Sequence, residues 1–244
     1  MNMRTVLAIT GTDRVDFLQG LITNDVTRAE GGIVYAALLT PQGKFIADFF
    51  VIGKPNTLLV DVNSSVGATL FQRLSMYRLR ADVQIIETAL IVSRGTGSRP
   101  DGALDDPRHS ALGWRHYGDQ DISDHTVDWP AIEVANLIPS TGVDLTPDTY
   151  ILEANFEAIN GVDFKKGCFV GQEIVARMKH KSTLKKGLRR VIFDGDAATG
   201  DTIMSGNKVA GTLHSLHGNQ GIAYLRFDRT SAMTTQKASL HLTD

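Results

Sequence analysis

The chemistry this sequence offers centres on one thiol. Cys168 is the only cysteine among 244 residues, and it stands in the string Lys165-Lys166-Gly167-Cys168-Phe169-Val170-Gly171-Gln172-Glu173. A thiol attacks or ligates only as thiolate, and cations or a helix N-terminus beside it lower its pKa. Both aids are present in the string. Lys165 and Lys166 precede the cysteine, and Glu173 to Met178 reads as the first turns of a helix. Ile174 and Met178 share one face there, and an acidic residue opens the helix where the dipole favours it. Glycine lets a backbone approach a ligand closely, which gives Gly167 and Gly171 a use. The competing reading is that a lone cysteine is a small buried hydrophobe.

The elements that must position this loop come before and after it. Val6 to Thr10 reads as a strand and Asp13 to Leu21 as a short helix with Thr12 as its N-cap. Asn24 and Asp25 follow as its polar exit. Tyr35 to Leu39 and Lys44 to Ile52 flank Thr40-Pro41-Gln42-Gly43, a hairpin signal. Asp48 falls inside the second strand, where an unpaired carboxylate is costly to bury, so the solvent face is expected for it. Leu58 to Val62 is a further strand, Ser64 caps a helix to about Met76, and Val83 to Ile86 is a strand. Residues 94–128 are rich in Gly, Asp and His and read as turns with one strand. Glu153 and Glu157 are spaced i, i+4, which marks a solvated helix face more often than a two-carboxylate site. Beyond Lys186, short strands separated by Gly/Asn turns predict a small antiparallel barrel. His214 and His217, three apart on a strand, point to opposite faces and are expected to be structural.

The string KKGCFVGQE resembles the signature of the YgfZ-type folate-binding proteins, K-G-C-[FY]-x-G-Q-E, which this sequence carries in full from Lys166 to Glu173. Those proteins are distant relatives of the glycine cleavage T-protein, an aminomethyltransferase, and are implicated in maintaining iron–sulfur enzymes. The phrases DRVDFLQGLITNDV, YAALLTPQGKFIADFFV, MYRLRA and the D-P-R at Asp106 extend the similarity. The resemblance implies an α+β, T-protein-like fold: two ferredoxin-like lobes around a central cavity over residues 1–185, then an antiparallel β-barrel over 186–244. It implies tetrahydrofolate or a derivative as cofactor, and iron–sulfur enzymes or assembly factors as transient partners. Cys168 is then the working residue, kept partly ionised by Lys166. Gly167, Gly171, Gln172 and Glu173 shape and fix the ligand-binding loop. The sequence also departs from its relatives. Glu133 stands where the relatives usually carry an arginine, Leu137 where they carry the glycine of a G-I-P phrase four residues on, Ala135 where the T-protein has its acidic pterin anchor, and Ala68 near the place of a second carboxylate. These departures count against aminomethyl transfer. A folate-dependent one-carbon transferase or demethylase is the alternative activity, and an RNA- or partner-binding module a third.

Composition narrows the classes. With 42% hydrophobic and 21% charged residues and a formal net charge of -2, the chain has ordinary globular chemistry and gives no global pull on nucleic acid or an anionic membrane. Lys179, Lys181, Lys185, Lys186, Arg189 and Arg190 form a local basic run, by default a solvated one. It otherwise suits a glutamyl tail or phosphate. A single cysteine forms no intrachain disulfide, fits a reducing compartment, and cannot alone hold an iron–sulfur cluster, which takes four ligands as a rule. No permanently bound metal and no membrane partner are expected. The N-terminus lacks the pattern of a signal peptide, and a cytoplasmic location is expected. There is no Walker A loop, G-x-S-x-G elbow or H-E-x-x-H.

Overall fold

The structure, a computed structural model, describes residues 4–181 and 183–243. The order of elements begins β1 (Arg4–Thr10), α1 (Arg14–Gln19), β2 (Ile33–Leu39), β3 (Phe45–Lys54), β4 (Thr57–Asn63), α2 (Ser64–Tyr77) and β5 (Gln84–Glu87). Next come β6 (Ile91–Gly95), β7 (Leu104–Asp105), β8 (Trp114–Gly118), α3 (Trp129–Ala135) and α4 (Gln172–Lys181). The C-terminal strands are β9 (Lys186–Gly195), β10 (Thr202–Ser205), β11 (Lys208–His217), β12 (Gln220–Arg226), β13 (Met233–Thr234) and β14 (Ala238–Leu242). By packing, these fall into two compact units. The first runs to Val127 and resumes over Phe156–Ala176; the second comprises Asp128–Asn155 and the chain from Arg177 onward.

In the first unit, five antiparallel strands lie in the order β2-β3-β4-β1-β5, and β6-β8-β7 form a separate three-stranded sheet. The apolar runs of β2 to β4 are buried on nearly every residue, as strands covered on both faces must be. Leu18, Ile22, Phe49, Val60, Leu70 and Leu74 belong to one core, so α1 and α2 pack onto the large sheet. The α2 cap is not Ser64 but Asn63, whose side chain accepts from Ser65 N at 3.0 Å. The preference of both residue types for that position hides a shift of one. Asp48 also departs from expectation. It is 5% exposed and takes a 2.9 Å hydrogen bond from the buried Tyr35 hydroxyl, so it meets its desolvation cost with a partner rather than with solvent.

In the second unit, β10-β11-β12-β9-β14-β13 close into an antiparallel barrel around Val191, Ile203, Leu213, Ala223, Leu225 and Leu240. The expected α+β class with a C-terminal antiparallel barrel is what the chain forms. Here α3 was not legible beforehand. Asp128 caps it by accepting from Ala131 N, Pro130 occupies its first turn, and it packs on β11 and β12. Residues 151–160 form successive turns instead of a helix, with Asn155 and Asn160 at φ 67° and 56°. Consequently Glu153 and Glu157 do not share a solvated face. Glu153 is buried and Glu157 exposed.

Candidate functional site

Cys168 is exposed, and it sits between two inward anchors, Lys166 and Phe169, each 8% exposed. The Lys166 ammonium donates to the carbonyls of Gln19 (2.8 Å), Ile22 (2.6 Å) and Asn24 (3.0 Å), so all three of its donors are used at the exit of α1. It also lies 5.3 Å from the Phe169 ring centroid. Burial lowers its pKa to about 8, against the pull of Asp25 and Asp163. What the structure shows of Lys166 is therefore a tether, holding the cysteine loop to the start of the chain.

Thr23 and Asn24 strengthen that tether. Thr23 Oγ1 donates to Gly161 O at 2.7 Å and accepts from Ala37 N at 2.8 Å, while its carbonyl accepts from Asp163 N at 3.0 Å. Asn24 Nδ2 reaches Tyr35 O at 2.8 Å and Asn160 O at 2.7 Å. Two adjacent polar residues thus stitch β2 to the segment leading into the cysteine loop. Read from sequence they are merely a polar exit. The available signal is a Thr-Asn pair wedged between apolar runs, where buried polar groups must find partners.

The far end of the loop rests on the β2–β3 turn. Gly171 has φ 85°, and a Cβ there would lie 2.7 Å from Thr40 O and 3.1 Å from Gly43 Cα. Gly43 has φ 74°, and its Cβ would meet Ile174 Cβ at 2.8 Å. Two glycines facing one another let the proline–glycine turn and the start of α4 touch. Gly167 is exposed, with nothing within 4 Å of where its Cβ would be. Gln172 opens α4 half-buried and Glu173 is exposed in its first turn. The loop therefore presents Gly167, Cys168 and Glu173 outward on a support fixed at both ends.

Tetrahydrofolate needs an acceptor for its pterin N–H groups and a cation for its glutamate. The loop fits this in part: Glu173 is an exposed acceptor and Gln172 a half-buried one, whereas Lys166 is already committed. Among the described residues, no three His, Cys, Asp or Glu gather to hold a metal. No helix is long and apolar enough to cross a membrane.

The first unit also holds a buried ion network. Asp61 on β4 takes Arg4 Nε at 2.6 Å and Arg115 Nη2 at 2.6 Å, with the Tyr117 hydroxyl at 3.0 Å. Asp106 takes Arg108 through both Nε (3.0 Å) and Nη2 (2.8 Å) and Arg115 Nη1 at 3.4 Å. Arg115 lies 4.0 Å from the Phe50 ring centroid and Arg108 4.9 Å from it. Burial pushes both carboxylates up, but the arginines outweigh it and hold each below the ordinary range. Asp106-Pro107-Arg108 read from sequence as a turn; it supplies half of a charged core.

Of the departures from the family pattern, Ala68 lies on α2 in the first unit and the other three fall in the second. Glu133 and Ala135 lie on α3, the Ala135 carbonyl accepts from Arg190, and Leu137 adopts the left-handed φ of 53°. His214 and His217 each face a carboxylate. His214 stacks on Tyr224 and lies 3.7 Å from Asp144, and His217 is 2.8 Å from Asp128.

Residues 185–244 match the model of the CAF17 C-terminal β-barrel domain. Glycine cleavage system aminomethyltransferase T from Bartonella henselae matches with a TM-score of 0.78 over 100% of this chain and 83% of that one, at 14% identity. The chain has the T-protein fold. Among curated relatives, the mouse protein named "Iron-sulfur cluster assembly factor IBA57, mitochondrial" is 28% identical over 289 residues, covering 98% of this chain and 78% of its own. The human protein of the same name is 29% identical over 268 residues, covering 91% and 75%. A homologue from Mycosarcoma maydis is 28% identical over 223 residues, covering 78% and 55%. All three are named mitochondrial, which overturns the cytoplasmic expectation. That expectation came from an N-terminus without a secretory signal pattern and a thiol suited to a reducing compartment, and neither separates one reducing compartment from another.

Proposed function

We propose that this T-protein-like chain is a YgfZ-type accessory factor in the assembly or repair of iron–sulfur enzymes, that it binds tetrahydrofolate or a derivative, and that Cys168 is its working residue. The observation that carries the proposal is the exposed sole cysteine on a loop pinned by Lys166 at one end and Gly171 at the other. A fold spends buried hydrogen bonds and two left-handed glycines on an exposed loop when the placement of what the loop presents matters. The names of relatives spanning nearly the whole chain support the cluster-assembly part. One thiolate supplies one ligand, so a cluster is cargo here, its remaining ligands coming from the assembly factor or client that brings or takes it.

Complementation of an iron–sulfur enzyme defect tests this directly. Wild type should restore the enzyme activity, and Cys168→Ala should not, although its thermal unfolding matches wild type. Restoration by Cys168→Ala would sink the thiol role. Calorimetric titration with tetrahydrofolate at high protein concentration should give saturable heat; none would remove folate. Release of formaldehyde or formation of methylene-tetrahydrofolate from an aminomethyl donor would move the assignment to a one-carbon transferase, the activity of the protein whose fold this chain shares.

A further inference from the structure

The second unit contains a hollow of about 310 Å³ that the proposed function does not use, lined by Glu153, Met178, Leu184, Lys185, Lys186 and Arg226 among others. Its charges are unevenly matched. Glu153 is 8% exposed and takes the Tyr224 hydroxyl at 2.6 Å, with Lys186 Nζ 3.8 Å away. Lys186 also lies 5.3 Å from the Tyr224 ring centroid, so it is occupied on both sides. Arg226 is forked onto Asp228 at 3.2 and 3.4 Å. Lys185 is different. Its carbonyl accepts from Phe227 N at 2.8 Å, which fixes its backbone at the rim. Among the described residues its ammonium has no carboxylate in ion-pair range. Outside the lining, the Arg189 guanidinium lies 4.0 Å from the ring centroid of that same Phe227 and donates to Leu188 O at 2.9 Å; among the described residues it too has no carboxylate in ion-pair range, and burial lowers its pKa.

Uncompensated positive charge at the mouth of a concave space attracts an anion, and the space focuses that attraction. The walls formed by Met178 and Leu184 are apolar and would be poorly used by a bare ion. We propose that this hollow binds an organic oxyanion, a carboxylate or phosphate carried on an apolar stem, with the oxyanion against Lys185 and the stem against Met178 and Leu184. Glu153, already held by Tyr224 and Lys186, limits the site to one such group. The inference does not rest on folate or on Cys168.

Titration of the full chain with hexanoate, hexyl phosphate and inorganic phosphate, followed by the backbone amide resonances of Lys185, Lys186 and Phe227, tests it. One of the two stem-bearing anions should shift these amides saturably with a Kd of about 1 mM or tighter, and the tighter of the pair names the head group. Inorganic phosphate should bind about tenfold more weakly, since it has no stem to bury. Lys185→Glu should weaken the stem-bearing ligand about tenfold or more, Lys185→Gln by less, and Leu184→Ser should erase its advantage over inorganic phosphate. Neither Lys185 nor Leu184 is buried, so the variants should melt as wild type does. No saturable shift, equal binding of all three anions, or binding unaltered in both Lys185 variants would overturn the proposal.

Discussion

Asp61 has no exposed surface and depends on Arg4 and Arg115 for its charge, while Arg115 also serves Asp106. Removing one member of such a set strands the others in a medium that cannot solvate them. Arg115→Ala should therefore cost about 3–5 kcal/mol, read as a fall in the urea midpoint with little change in slope. A change under about 1 kcal/mol would mean water reaches the cluster. The same cluster sets an acid limit. Both carboxylates are held below their ordinary 3.8 in the folded chain, the arginines outweighing burial, so the unfolded chain binds more protons in the acid range. Their contribution is complete above pH 3.8 and is lost as pH falls through the lowered folded values. Lys166 acts at the other end of the scale. Its folded pKa of about 8 lies below the ordinary 10.5, so its burial penalty is in force below pH 8 and relieved between the two values. Raising pH across that window should add stability in wild type and not in Lys166→Met, as measured by urea unfolding at successive pH values.

At the level of elements, the cysteine loop shows what sequence discloses and what it withholds. The string from Lys166 to Glu173 marks the loop, and the hairpin over the Thr40–Gly43 turn is equally legible from its proline and glycine. That the two touch is not legible, because the contact joins segments remote in the chain and leaves no periodic trace. Nor does the string say which glycine is needed. Gly167 meets nothing within 4 Å, whereas Gly171 combines φ 85° with a carbonyl 2.7 Å from its missing Cβ. Gly167→Ala should change stability by no more than about 0.5 kcal/mol. Gly171→Ala should cost about 1–3 kcal/mol and displace the start of α4 from the β2–β3 turn. Complementation should then fail, or weaken, in Gly171→Ala while its thiol remains intact by alkylation. Equal behaviour of the two alanine variants would show that the clamp at the turn does not position Cys168.

Across the whole molecule, the barrel was the most legible part, since short strands with Gly/Asn turns announce themselves. The segment Asp128–Asn155 was not. Its one helix is short, and its turns use left-handed Leu137, a type rarely found there, and left-handed Asn155, whose type permits that conformation without requiring it. A buried carboxylate was misread for a related reason: Asp48 interrupts an apolar strand, as the unremarked Asp61 does, and a strand pattern gives a face but not the Tyr35 or Arg115 that waits there. The two units have separate cores, one around Phe49, Val60 and Leu70 and the other around Val191, Leu213 and Leu225. Each unit also contains one of the 2 tryptophans, Trp114 on β8 and Trp129 at the start of α3. Replacing one tryptophan by phenylalanine thus leaves a fluorophore reporting a single unit. Leu213 is fully buried in the barrel core, so Leu213→Ala should remove about 2–5 kcal/mol from that unit. In urea titrations, Leu213→Ala should lower the midpoint seen by Trp129 more than the midpoint seen by Trp114. Phe49→Ala, which opens the core of the first unit, should reverse that order. Identical midpoint shifts at both tryptophans in both variants would instead require one cooperative core for the entire chain.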